Sequence, residues 1–257
     1  MSIMNTPMPF LSVVLPSYNE KKNLKRGALD EAYQFLKDFE RSWELILSDD
    51  GSTDGTLETL EAFAKKDTRI SVLANQHRGK GPTVKSGMLA AQGKWRLFAD
   101  FDQSTPMRDV RELLKYVPDY DVVLGSREAS GAKREKEPFY RHLMGRGFNL
   151  LVQILAVPGI ADTQCGFKLF SAEATEKLFP KLWVYSGKSS RQTAFTGAFD
   201  VELLYLAKKY HFRMKEVPIK WKHFHTDRVN PIRDSVLMFI DILRIRLASL
   251  TGKYPKS

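Results

Sequence analysis

Runs of apolar residues along this chain switch repeatedly between a strand period and a helical one. Leu11–Leu15 is a β-branched and apolar run closed by Pro16, which predicts a buried strand. From Glu20 to Phe39, Leu24, Leu29, Ala32, Phe35, Leu36 and Phe39 recur near helical spacing. Trp43–Ser48 predicts a second strand, and Asp49-Asp50-Gly51-Ser52 then turns the chain into a helix capped by Asp54 and running to about Lys66. Ile70–Ala74 and Trp95–Ala99 predict strands three and four, separated by a helix that starts after Arg78–Gly81 and ends near Gly93. A helix over Arg108–Tyr116 and a strand over Asp121–Leu124 follow. The second half is less regular: helices over Arg141–Ala156, Ala172–Phe179, Asp200–Tyr210 and Ser235–Leu250, with strands over Phe167–Phe170 and Met214–Ile219.

Strands alternating with helices imply βαβ units, hence an α/β fold with a mostly parallel sheet and helices on both faces. Ligands in such sheets bind beyond the carboxyl ends of the strands. Four of those ends carry polar groups: Ser17–Glu20, Asp49–Asp50, Asp100–Asp102 and Ser126–Arg127. A binding site at that edge is the first functional expectation.

Composition narrows the class. The 257 residues, 43% hydrophobic and 27% charged, suit one globular domain over residues 1–220 with a basic extension over 221–257. The single cysteine, Cys165, excludes an internal disulfide framework, and no zinc-type Cys/His spacing occurs. No secretory leader is evident, and the longest interior uncharged run, Gly147–Ala161, is too short to span a bilayer, so a soluble, cytoplasmic chain is expected. Of the net charge of +10, +8 lies in the last 53 residues, which hold twelve basic and four acidic side chains. That excess points to a polyanionic partner. Nucleic acid accounts for the charge but not for the strand-end carboxylates, which repel phosphate, so no nucleic-acid partner is expected.

Asp100 and Asp102 lie one residue apart, and in extended chain both side chains point the same way. Two adjacent carboxylates suit a hard cation, Mg²⁺ or Mn²⁺, able to stabilise a departing diphosphate. Asp49 and Asp50 exceed what a turn requires and are candidates to accept hydrogen bonds from a base or ribose. Gly79-Lys80-Gly81 is neither a Walker A loop nor a dinucleotide fingerprint, yet its N–H groups and Lys80 suit an anion at a helix start. None of the five histidines accompanies a nucleophile motif such as G-x-S-x-G.

Val13–Glu20, Ser48–Asp54 and Ala99–Asp102, in this order and spacing, resemble the inverting family 2 glycosyltransferases with a GT-A fold. Within that family, His77–Gly81, Gly125–Arg127, Asp162–Lys168 and Phe199–Glu202 look like dolichyl-phosphate glucosyltransferases, with dolichyl-phosphate mannose synthases as near relatives. The likeness runs from about Phe10 to Ile219. It implies that Pro16, Tyr18, Glu20, Asp49 and Asp50 hold the uridine, and that Asp100 and Asp102 handle metal and diphosphate. Arg127, Arg141 and Arg146, with Ser126, match an arginine pattern that grips an acceptor phosphate. Mannose synthases carry a glutamine two places after the second aspartate, where this chain has Ser104. A processive Q-x-x-R-W motif is absent, so transfer of a single sugar is expected.

A phosphate monoester, with second pKa about 6, is already a nucleophile, whereas a sugar hydroxyl needs a general base. The acidic candidates for that base, or for sugar contacts, are Asp162, Asp200 and Glu202. The leading expectation is therefore glucose transfer from UDP-glucose to a polyprenyl phosphate. GDP-mannose as donor, a hydroxyl acceptor, or a non-catalytic nucleotide-sugar sensor remain open alternatives at this point. In the last helix, Val236, Phe239, Ile240, Leu243, Leu247 and Leu250 form one apolar stripe, flanked by Arg233 and Arg244 on one side and Arg246 and Lys253 on the other. That stripe suits a peripheral membrane surface, a dock on the catalytic domain, or a dimer contact.

Overall fold

A computed structural model describes residues 8–135, 147, 149, 151–186, 198–224 and 231–255. Seven strands form the central sheet: β1 (Leu11–Ser17), β2 (Trp43–Asp49), β3 (Ile70–Ala74), β4 (Trp95–Ala99), β5 (Val122–Ser126), β7 (Phe167–Ser171) and β8 (Met214–Pro218). Their order is β3-β2-β1-β4-β7-β5-β8. All neighbours pair in parallel except β7, which runs antiparallel between β4 and β5. Two short strands, β6 (Lys133–Glu135) and β9 (Lys220–Lys222), pair apart from it. The sequence pattern gave neither, because three residues are too few to display a period.

Side-chain alternation divides the core into two layers. Leu11, Val13 and Leu15 of β1, Leu45 and Leu47 of β2, and Leu97 of β4 face one layer. That layer includes α2 (Ala28–Lys37), α3 (Thr56–Ala64) and α5 (Val110–Leu114). Val14, Ile46 and Phe98 face the other layer. It is closed by α4 (Lys80–Ala90), α6 (Ala172–Leu178), α7 (Phe199–Lys209) and α8 (Pro231–Leu250). Both faces of the sheet are thus covered, as the near-continuous apolar strands require. Ile242, Ile245 and Ala248 of α8 and Tyr254 join this second core, so residues beyond 220 continue into it.

Some expected boundaries shift for local reasons. The helix expected over Glu20–Phe39 is two, α1 (Lys21–Lys25) and α2, because Gly27 sits at φ 84° in the left-handed region and breaks the ladder. Asp54 lies one residue before the helix cap: Gly55 is the cap, and the Asp54 carboxylate accepts from Thr56 N–H at 3.0 Å. The helix expected from Arg108 opens as a 3-10 turn over Met107–Asp109 before α5 begins. Of the helix expected over Arg141–Ala156, residues 141–146 lie outside the described residues, and 151–155 are helical.

Candidate active site

Asp100 and Asp102 are brought together by a turn, which corrects the expectation of extended alternation. β4 ends at Ala99, and Gln103 N–H donates back to the Asp100 carbonyl at 3.1 Å. Gln103 adopts φ 50°, a left-handed conformation that a side chain pays for and that is often kept at functional loops. The Asp102 carboxylate accepts from Ser104 N–H at 2.9 Å, and Arg26 Nη2 donates to the Asp102 carbonyl at 2.6 Å. Burial first, and then the Asp100 charge, push the Asp102 carboxyl above its usual range.

Gly166 makes room for this pair. Its carbonyl accepts from Asp100 N–H at 2.9 Å, and a Cβ there would lie 2.2 Å from Asp100 Oδ2. Lys80, the first residue of α4, reaches in from the other side, with Nζ 2.5 Å from Asp100 Oδ1. Beside them lies a buried ion pair, Lys168 Nζ to Asp200 Oδ1 at 2.5 Å, whose lysine also donates to the Cys165 carbonyl. Burial drives the Asp200 carboxyl upward against the pull of Lys168, and pushes the Cys165 thiol up to about 12, leaving it inert as a nucleophile.

Two hard carboxylates at one turn are a fitting ligand pair for Mg²⁺ or Mn²⁺. Gln103 adds an observation: its Oε1 is buried without a hydrogen-bond partner, while its Nε2 donates to the Asp100 carbonyl at 3.3 Å. Among the described residues no group of three or more His, Cys, Asp or Glu could hold a metal ion. Among the described carboxylates, imidazoles and thiols, Asp100 and Asp102 therefore do not by themselves complete a cation's coordination shell.

The neighbouring strand ends hold the loops. Asp49 is fully buried and accepts from Ser17 Oγ at 3.0 Å and from Ser52 N–H at 2.8 Å. Asp50 accepts from Arg78 N–H at 2.8 Å and Gly79 N–H at 2.9 Å, and meets His77 Nδ1 at 2.9 Å. Tyr18, just past β1, stacks on the His77 ring with centroids 4.2 Å apart. Pro16 is buried within β1, and Glu20 is buried and accepts from Asn23 Nδ2 at 2.5 Å.

At the end of β5, Ser126 Oγ accepts from Ala129 N–H at 3.1 Å, and Arg127 grips Asp162 with two guanidinium bonds of 2.7 and 2.8 Å. Burial opposes the Asp162 charge, but the Arg127 guanidinium outweighs it and holds the carboxyl far below its usual range. Glu202 is wholly buried; it accepts from the N–H groups of Trp183, Val184 and Tyr185 and from the Tyr254 hydroxyl. Arg141 and Arg146 lie outside the described residues.

Sequence reasoning overlooked the particular roles of Gly166, Lys168, Gln103 and His77. Gly166 and Lys168 stood inside a quoted motif, but only the fold reveals that one clears space and the other holds Asp200.

A mostly parallel sheet with paired aspartates at its carboxyl edge frames a ligand site at the strand ends. The Glycosyl transferase family 2 model matches residues 12–179, and the chain belongs to that family. It is 37% identical over 258 residues to the dolichyl-phosphate beta-glucosyltransferase of Dictyostelium discoideum, covering 95% of this chain and 76% of that one. The Homo sapiens protein of the same name is 35% identical over 274 residues, covering 98% and 80%. Among solved structures, the mannosyltransferase PcManGT from Pyrobaculum calidifontis, in complex with GDP-Man and Mn²⁺, superposes with a TM-score of 0.60 at 18% identity, covering 93% of this chain and 65% of that one. Glucosyl-3-phosphoglycerate synthase from Mycobacterium tuberculosis, in complex with Mn²⁺, UDP and its product, gives 0.59 at 16% identity, covering 97% and 81%. The fold is that of the GT-A transferases, and the chain is a glycosyltransferase.

Proposed function

We propose that this chain moves one glucose from UDP-glucose, with inversion, to the phosphate of a dolichyl or other polyprenyl lipid. The observation that carries the reading is the Asp100–Asp102 carboxylate pair at the end of β4, beside Lys80 and cleared by Gly166. The names of the relatives support the sugar and the lipid acceptor. In this reading Asp100 and Asp102 hold Mg²⁺ or Mn²⁺, which when bound neutralises the departing diphosphate. The Mn²⁺ in the complexes of both structural neighbours supports a divalent ion.

The chain's own residues do the rest. Lys80 places a second positive charge on the diphosphate side of the loop. Tyr18, Glu20 and Asp50 border the uridine, with Pro16 and Asp49 shaping the strand ends behind them. Arg127, braced by Asp162, orients the acceptor phosphate together with Ser126, Arg141 and Arg146. A phosphate oxygen attacks the anomeric carbon from the face opposite UDP. The new carbon–oxygen bond forms as the bond to UDP breaks, and the electron pair leaves with UDP.

No proton has to move, because the phosphate is already ionised. The engagement of Asp162, Asp200 and Glu202 with Arg127, Lys168 and backbone N–H groups supports this acceptor class, since each candidate base is occupied. The donor is tested by a thermal-shift panel of UDP-, GDP- and dTDP-sugars with and without Mn²⁺. Binding raises apparent stability by mass action. UDP-glucose with Mn²⁺ should give the largest rise; a larger rise with GDP-mannose would contradict the donor.

A further inference from the structure

One carboxylate at the end of β4 is claimed twice. Asp100 is asked to hold a divalent cation, yet its Oδ1 receives the Lys80 ammonium at 2.5 Å. A small divalent ion sits about 2.1 Å from each ligand oxygen. Placed on the same oxygen, ion and ammonium would stand less than about 5 Å apart, like charges facing each other.

Lys80 is held as a cation. Burial opposes its charge, but the Asp100, Asp200 and Asp102 charges outweigh burial and raise its proton affinity above the usual lysine range. Two of these carboxylates have other partners: Asp200 binds Lys168 at 2.5 Å, and Asp102 accepts from Ser104 N–H at 2.9 Å. The backbone at the start of α4 is fixed. Asp50 takes the N–H groups of Arg78 and Gly79, and a Cβ on Gly81 would lie 3.0 Å from Phe199 Cβ of α7. The flexible four-carbon stem of Lys80 is therefore the part that can turn. Solvent reaches the pair, since the Lys80 side chain is 23% exposed and that of Asp100 35%.

We propose that Lys80 competes with the divalent cation for Asp100, and that the diphosphate of the donor relieves the competition by drawing the ammonium onto its own oxygens. The inference rests on the reading of Asp100 and Asp102 as ligands of the cation. A diphosphate brings negative charge for Lys80 and hard oxygens for the cation at once. A cation alone has to break an ion pair and leave the ammonium beside it. Cation binding is thereby made conditional on a nucleoside diphosphate, so Asp100 is released to the ion when there is a leaving group to stabilise. The coupling is reciprocal, and the cation strengthens nucleotide binding by the same factor.

Mn²⁺ binding followed by electron paramagnetic resonance, with and without UDP, tests this with no sugar transfer involved. The proteins are wild type, Lys80→Met, and Lys85→Met as a control for a lysine lost from the same helix. Without UDP, Lys80→Met should bind Mn²⁺ at least about tenfold tighter than wild type and Lys85→Met do. With UDP saturating, that advantage should vanish, because Lys80 has then left Asp100 in the wild type. Lys80→Gln, which keeps a donor near Asp100 but no charge, gives the same readout should Lys80→Met melt early. Equal Mn²⁺ affinity of wild type and both Lys80 variants without UDP would overturn the competition alone. A gain of the same size with and without UDP would overturn it too, since general repulsion does not depend on where Lys80 points. Mn²⁺ binding that Asp102→Ala leaves unweakened would overturn the cation reading and the inference with it.

Discussion

Asp100 keeps its place because Gly166 has no side chain. The three nearest atoms that a methyl at Gly166 would meet are those of the Asp100 carboxyl group, at 2.2–2.3 Å. The Asp100 carboxyl carbon is itself 2.3 Å away, so the whole side chain must swing aside and leave Lys80, and Gly166→Ala should lower the melting temperature only modestly. Displacing a reacting-site group by about 1 Å can cost on the order of 100-fold in rate, and a loss of that size in metal-dependent turnover is expected. Near-normal turnover would mean that the position of Asp100 is irrelevant. Arg127 behaves in the opposite way. Its removal strands the buried Asp162 charge, and breaking such a pair costs roughly 3–5 kcal/mol. Arg127→Ala should therefore unfold markedly earlier, and Arg127→Ala with Asp162→Asn should recover stability without recovering transfer, as melting curves and a transfer assay would report. The sign with pH follows from the depressed Asp162 carboxyl, whose ordinary value is 3.8. The pair stabilises the fold fully above that value and the benefit is lost as pH falls below it, so Asp162→Asn should flatten the acid limb of the stability curve.

At the scale of elements, the strands were legible because each is a compact apolar run ended by a turn residue. β1 through β4 were expected within two residues of where they stand. The long first helix was not, since helical spacing on both sides of Gly27 conceals a residue at φ 84°. Nothing lies within 4 Å of a Cβ built there, so the cost of Gly27→Ala is conformational alone. It should come to about 1–2 kcal/mol, read as a lower melting temperature with turnover preserved. A stability equal to wild type would show that α1 and α2 can join as one helix. α8 taught the converse lesson. Periodicity located its stripe but could not say which face the core would take, because Met238, Ile242, Ile245 and Ala248 form a second apolar row. The candidate bases were misleading for a related reason: an acidic residue reads the same in sequence whether it faces substrate or, like Glu202, ties down three backbone N–H groups.

For the whole molecule, the edge of the sheet was readable from four polar strand ends, because a parallel sheet puts all of them on one side. The pairings of Lys80 with Asp100 and of Lys168 with Asp200 were not, as they join side chains 20 and 32 residues apart in the chain. The measurement that bears most directly on the account is transfer of labelled glucose from UDP-glucose to a short-chain polyprenyl phosphate in Mn²⁺. Wild type should form the β-linked lipid-phosphate product, from α-linked donor, and Asp102→Ala should abolish transfer while melting within a few degrees of wild type. Product formation by Asp102→Ala at the wild-type rate would contradict the account. Equally, wild type that passes glucose to a hydroxyl acceptor and never to the lipid phosphate would contradict it.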